Sequence, residues 1–127
     1  MIEANRQFGQ LHTPTEIRNN KESNCLEVDF TDGTSFSIPA ELLRVESPSA
    51  EVQGHSPEQK KLVAGRKNVT IMKIDMVGNY AVSLKFDDLH DSGIYTWDFL
   101  HNMGENQDSI WADYLKAIEA AGLSREP

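Results

Sequence analysis

The chain holds a single cysteine, Cys25, so it can form no internal disulfide, and a zinc module built on clustered cysteines is excluded. Cys25 opens an alternating apolar segment, where it reads as a half-buried, inert thiol in a reducing compartment. No apolar run approaches the roughly 20 residues that a bilayer span requires. Met1 to Gln10 is polar and lacks the apolar centre of a signal peptide. The expectation is a cytoplasmic protein with no membrane partner.

Positive charge is also scarce, with 12 basic against 20 acidic residues and a net charge of -8. Such a surface repels phosphate backbones and anionic lipid, so no nucleic-acid partner is expected. One exception is local. Lys60, Lys61, Arg66 and Lys67 place four positive charges around Gly65, either as a solvated loop or as a contact for an anion or acidic partner.

Catalytic spacings are missing too. The 8 glycines never fall into P-loop or dinucleotide-binding order, and there is no Gly-x-Ser-x-Gly elbow. None of His12, His55, His90 and His101 heads the His-x-Asp or His-x-Glu pair of an iron oxygenase, and no histidine lies near Cys25 in sequence to activate it. With no complete catalytic constellation, the expectation is a non-catalytic binding or accessory domain that requires no cofactor.

What is present is a globular composition: 127 residues, 39% hydrophobic and 25% charged, enough for one domain with its own core. Residues 1–13 show no periodicity, and a flexible tail is expected over 1–12. A short strand follows at Ile17. Leu26, Val28 and Phe30 alternate with Glu27 and Asp29, and Asp32-Gly33 turns the chain into Phe36 and Ile38. Pro39 starts a helical turn through Leu42 and Leu43, and Ser47-Pro48 caps a short helix at Ser49 to Val52. Gln53 to Lys67 reads as a long exposed loop.

A second hairpin runs from Val69 to Val77, turns at Gly78-Asn79 and returns along Tyr80, Val82, Leu84 and Phe86. Thr96 caps a helix carrying Trp97, Leu100 and Met103, which Gly104 ends. A last helix from about Asp108 carries Ile110, Trp111, Tyr114, Leu115 and Ile118 on one stripe and stops at Gly122. The predicted architecture is α+β: an antiparallel sheet from two hairpins, with short helices and a C-terminal helix packed on one face.

Among candidate ligands, His90 stands between Asp87, Asp88 and Asp91. That cluster is either a divalent-ion site or a solvated turn in which His90 caps the sheet through backbone hydrogen bonds. His101 reads as a surface residue favoured at a helix C-terminus, and His55 lies where the long loop can meet a ligand or partner.

Several strings together resemble one family. They are Pro14-Thr15-Glu16-Ile17, Leu43-Arg44-Val45 running on to Ser47-Pro48-Ser49-Ala50-Glu51-Val52, Arg66-Lys67-Asn68-Val69, and Gly78-Asn79-Tyr80-Ala81-Val82 continuing to His90-Asp91-Ser92-Gly93-Ile94-Tyr95-Thr96-Trp97. The chain resembles the gamma-butyrobetaine hydroxylase-like N-terminal domain family over roughly residues 13–103. The resemblance implies a small stand-alone bacterial domain of unknown function. It is similar to the non-catalytic N-terminal domain of carnitine-pathway oxygenases and to a domain appended to P-loop scaffold proteins of iron–sulfur assembly.

In the oxygenases that domain holds zinc through clustered cysteines and a histidine whose motif matches His90. Here Glu46, Ser47, Pro48, Ser49 and Ala50 stand where the cysteines would fall, so zinc is disfavoured, and His90 alone would hold it weakly. The expected organisation is a tail over 1–12, the family domain over 13–104 and a C-terminal amphipathic helix over 105–127 of the same domain. The expected function is a protein-interaction module linked to iron–sulfur or metal-cofactor handling, with an unidentified protein partner. The alternative is a small-molecule or metal-binding domain assisting an oxygenase-type enzyme. The expected binding surface comprises His55, Asp88, His90, Asp91, Tyr95 and Trp97, with His90 the one candidate metal ligand.

Overall fold

A computed structural model describes residues 10–127. The expected tail over 1–12 therefore falls largely outside the described residues. Its last three positions, Gln10 to His12, are tied to the domain. Gln10 Nε2 donates to the Tyr80 carbonyl at 2.9 Å, and the Leu11 and His12 amides donate to Asp98.

The strands fall into two three-stranded antiparallel sheets rather than one. The first runs β1 (Pro14–Asn20), β2 (Cys25–Phe30), β3 (Ser35–Pro39) in that order. The second runs β4 (Ile71–Val77), β5 (Ala81–Phe86), β6 (Ile94–Thr96). Side-chain amides bridge the two hairpin regions: Asn19 Nδ2 donates to the Ile71 carbonyl at 3.0 Å and Asn24 Nδ2 to Val69 at 2.8 Å. Four helices complete the α+β fold: α1 (Ala40–Val45), α2 (Ala50–Gln53), α3 (Trp97–Glu105) and α4 (Gln107–Ala120). None of the described helices is long and apolar enough to cross a membrane.

Alternation decides what the sheets bury. On β2, Leu26, Val28 and Phe30 point into the core while Glu27 and Asp29 face outward to Arg18. On β5, Val82, Leu84 and Phe86 do the same. Each such side chain fully removed from water is worth about 2 kcal/mol. The core continues through Leu42, Leu43 and Val45, because all six residues of α1 are buried. An all-round buried helix must neutralise its charges, and α1 carries two. Glu41 is held by Arg125 at 2.7 and 2.9 Å, and Arg44 by Asp88 at 2.7 Å.

Both hairpin turns are longer by one residue than the expected pairs. Phe30 and Thr34 close a three-residue loop, in which Gly33 takes the left-handed φ of 90° that a residue with a Cβ avoids. Gly78 to Tyr80 joins β4 to β5, which starts at Ala81. Two cap assignments also change. Ser49, not Ser47, precedes α2. Gly104 lies inside α3, and Asn106 is the C-cap. A Cβ on Gly104 would stand 2.2 Å from Phe36 Cγ, so the glycine serves close packing against β3 rather than helix termination. Gly122 does end the last helix: its amide bonds Glu119 at 3.0 Å and the Leu123 amide bonds Ile118 at 2.8 Å, the paired reverse bonds of a left-handed glycine cap.

Candidate functional site

The acidic turn after β5 is built around backbone bonds that the sequence leaves implicit. The His90 carbonyl accepts from the Phe86 amide at 3.0 Å, and Asp87 bonds both ways with Thr70. Leu89, between Asp88 and His90, takes a left-handed φ of 72° with its side chain in solvent. That kink turns His90 inward, where only 7% of it is exposed.

Inside, His90 Nε2 lies 3.0 Å from Ser47 Oγ, and Nδ1 lies 3.7 Å from Glu51 Oε2, beyond hydrogen-bond length. Burial pushes the His90 pKa down from its ordinary value; the Arg44 charge adds to this, and Glu51, Asp88 and Asp91 oppose it. The neutral imidazole is thus the favoured form. Gly93 makes room for this contact, since a Cβ there would stand 2.5 Å from Ser47 Oγ.

Asp88 organises the other side of the turn. Its Oδ1 accepts from the His90 amide at 3.1 Å, and its Oδ2 accepts from both Arg44 Nε and Arg66 Nε at 2.7 Å each. Burial raises the Asp88 pKa, but the Arg44 bond, the His90 amide and Arg66 outweigh it, and the carboxyl stays below its ordinary value. Arg44 is only 8% exposed, and its Nη1 is buried with no hydrogen-bond partner among the described residues. Arg44, Arg66, Lys61, Glu51 and His90 line one cleft of about 230 Å³. Arg44, Arg66 and Lys61 meet Glu51 in the cleft, with Asp88 behind the two arginines and Asp91 exposed beside them, so basic and acidic groups are matched at this corner of a chain that is net negative.

The basic run predicted around Gly65 is only partly free. Lys60 pairs with Glu46 at 2.6 Å and Lys67 with Glu126 at 3.0 Å, while Arg66 and Lys61 reach the cleft.

The predicted surface is not one surface. Asp88 and His90 meet. Asp91 is exposed beside them, and its backbone carbonyl accepts from Ser83 Oγ at 3.5 Å. His55 is exposed after the Gly54 turn and does not line the cleft. Tyr95 and Trp97, placed on the partner surface from sequence, are instead core residues at 0% and 4% exposure. The alternation of β6 sends Tyr95 inward, where its hydroxyl donates to the Leu43 carbonyl at 2.6 Å. Trp97 Nε1 donates to Asn79 at 2.9 Å. Both polar atoms are satisfied internally, and burial holds the Tyr95 hydroxyl in its neutral form.

Ser47 and His90, far apart in sequence, do meet where the resemblance would put a zinc site. The donor set does not fit zinc. Ser47 and Ser49 offer neutral hydroxyls where thiolates are needed, the His90 nitrogen nearest them is engaged by Ser47, and Ser49 Oγ is buried without a hydrogen-bond partner among the described residues.

A second cluster escaped the sequence. His101, expected on the surface, is 4% exposed, because the turn of α3 that carries it packs over β2 and β3. Its ring stands edge-on to Phe30 and Phe36, at 4.8 and 5.2 Å, and stacks on His12 at 3.6 Å. Nε2 of His101 lies 2.9 Å from Asp32 Oδ2, and His12 Nδ1 lies 2.9 Å from Asp98 Oδ1. These partners are separated by 69 and 86 positions, so no spacing motif could reveal them. The one available signal was the Asp32-Gly33 turn facing an inward position of α3.

Two antiparallel sheets around a fully buried α1, with a cleft lined by Arg44, Lys61 and Arg66, define a small α+β domain. The chain belongs to the gamma-butyrobetaine hydroxylase-like N-terminal domain family, whose model matches residues 17–101. It is 44% identical to a protein solved by solution NMR, with a TM-score of 0.80 and coverage of 93% of each chain. A second NMR structure is 45% identical at a TM-score of 0.81, covering 94% of this chain and 89% of that one. A crystal structure of a DUF971-family protein of unknown function from Acidithiobacillus ferrooxidans is 37% identical at a TM-score of 0.62, covering 72% of this chain and 92% of that one. No curated protein matches the chain.

Proposed function

We propose that this chain is a non-catalytic accessory module that binds an acidic group of a partner protein in the cleft between Arg44, Arg66 and Lys61. One observation carries the reading. Two guanidinium groups share a single Asp88 oxygen at 2.7 Å each, and the more buried of them has a donor, Nη1, with no acceptor among the described residues. A buried donor left unpaired costs about 1–3 kcal/mol, which an incoming carboxylate that draws Arg44 outward would recover. Arg66, one-third exposed, offers the planar fork suited to such a group.

Size favours a side chain over a substrate. At about 230 Å³ the cleft is smaller than the roughly 300–1,000 Å³ of ordinary small-molecule pockets. It has room for one carboxylate and its stem. The chain as a whole carries a net charge of -8, which repels an acidic partner from most of the surface and favours the corner where three basic side chains gather as the point of contact. A role in iron–sulfur or metal-cofactor handling is the wider proposal, supported by the resemblance to a domain appended to iron–sulfur assembly scaffolds.

The test uses a capped penta-glutamate peptide titrated into isotope-labelled protein, with penta-lysine as control. Shifts should concentrate on Arg44, residues 61–66 and His90, weaken with salt, and fall by on the order of tenfold in Arg66→Gln, through loss of a charge-assisted bond. Shifts scattered over the surface, or undiminished in Arg66→Gln, would remove the cleft from consideration. For the wider role, deletion of the reading frame should lower iron–sulfur enzyme activity; unchanged activity rejects that link.

A further inference from the structure

We propose that His12, His101 and Asp32 form a binding site for a first-row divalent cation of the zinc type. A ring nitrogen of each histidine and a carboxylate oxygen of Asp32 all lie within 4.8 Å of one another. Three separate parts of the chain deliver them: the segment before β1, the turn between β2 and β3, and α3. Two imidazoles and one carboxylate suit zinc or another borderline divalent ion, and are the wrong chemistry for calcium or magnesium. Three protein ligands leave a coordination position open to water.

The surroundings orient each ligand, and the one proton that must leave when an ion binds is the one His101 Nε2 shares with Asp32 Oδ2. Asp98 Oδ1 engages Nδ1 of His12, which leaves Nε2 of that ring as the ligating nitrogen. Asp98 is itself fixed by the Leu11 and His12 amides at about 3 Å. Asp32 Oδ1 takes the Thr34 amide at 2.9 Å and the Thr34 hydroxyl, so Oδ2 is the oxygen directed at His101. Phe30 and Phe36 wall the His101 ring on its edges. The separation of 2.9 Å between His101 Nε2 and Asp32 Oδ2 is close to what two ligands on one ion show, roughly 3–3.4 Å at bond lengths near 2.1 Å.

One adjustment is required. The rings of His12 and His101 stack at 3.6 Å with 16° between their planes, whereas an ion lies in the plane of each ring that binds it. Only His12 has freedom to tilt, its side chain being 29% exposed against 5% for His101. Binding would then clamp the segment before β1 onto the β2–β3 turn and α3. These residues are separate from the Arg44 cleft, and neither proposal depends on the other.

Chelator-treated protein titrated with zinc chloride in a calorimeter should bind one ion per chain. Cobalt should give the visible absorption of a nitrogen- and oxygen-ligated site that zinc then bleaches. His12→Ala and Asp32→Asn should each weaken zinc by on the order of 10- to 100-fold, with metal-free unfolding temperatures close to the parent's. His90→Gln and Cys25→Ser should bind as the parent does. Absence of saturable binding overturns the proposal. So does undiminished affinity in both His12→Ala and Asp32→Asn, or loss of binding in His90→Gln or Cys25→Ser.

Discussion

His90 is buried where a positive imidazole would be costly, beside the Arg44 guanidinium and against the Ser47 hydroxyl. Its folded pKa lies below the ordinary 6.5, while the unfolded chain titrates near that value. The stability this group contributes is therefore complete above about pH 6.5 and is lost as pH falls towards the depressed folded value, because the unfolded chain takes up a proton that folded His90 resists. Unfolding temperatures of the parent and of His90→Gln, each taken at pH 7.5 and pH 5.0, isolate the effect. The parent should lose more on acidification than the variant does, whatever their difference at pH 7.5. Equal losses would mean that His90 is not the group linked to protons. Leu89 belongs to the same small device, since its left-handed backbone is what turns the imidazole inward.

At the scale of the element, α3 shows both what the sequence discloses and what it withholds. Thr96 as its N-cap is confirmed, with the Thr96 hydroxyl accepting from the Phe99 amide at 3.2 Å. The alternation in β2 and β5 was likewise legible, because one period of two over six residues has only one burial solution. β6 was not, since three residues carry no period. Its pairing, Val82 with Tyr95, is made by tertiary contact. Gly104 misled for a physical reason: glycine near a helix end serves as a cap more often than as a gap for a neighbour, and only the position of Phe36 distinguishes the two. Of the site, His90 and Asp88 were legible through their local cluster, whereas Arg44 reads from sequence as one more helix residue.

The Gly104 contact makes a prediction of definite sign. In an open helix Gly→Ala would stabilise by about 1 kcal/mol. Against Phe36 at 2.2 Å the new methyl must displace a ring, at about 1–3 kcal/mol. Gly104→Ala should therefore lower stability in denaturant unfolding. Added to Phe36→Ala it should cost less than it does alone, the signature of a shared contact. A Gly104→Ala protein as stable as the parent would refute the close-packing role.

Across the whole molecule, the C-terminal segment is what joins α1, α4 and the wall of the cleft. Arg125 reaches Glu41 with two nitrogens at 2.7 and 2.9 Å and lies over the Trp111 ring at 5.1 Å. The backbone beside it takes the Gly65 amide on Ser124 at 2.9 Å and the Lys67 amide on Arg125 at 3.0 Å. Glu41 is buried in α1, so losing Arg125 leaves a carboxylate that has left water without its cation. A fully buried pair broken in this way costs about 3–5 kcal/mol; since the Arg125 side chain is 37% exposed and water can enter behind it, about 2 kcal/mol is expected. Arg125→Gln should lose that amount in denaturant unfolding, and adding Glu41→Gln should restore most of it, because the uncompensated charge is then gone. The loop bearing Lys61 and Arg66 is anchored through the same segment, so hydrogen exchange at Gly65 and Lys67 should accelerate in Arg125→Gln while β5 amides keep their protection relative to global stability. Unchanged exchange at those two amides would show that the loop is held by its other contacts, among them the Lys61 amide on the Val52 carbonyl at 2.6 Å, and that the cleft wall is independent of the C-terminal segment.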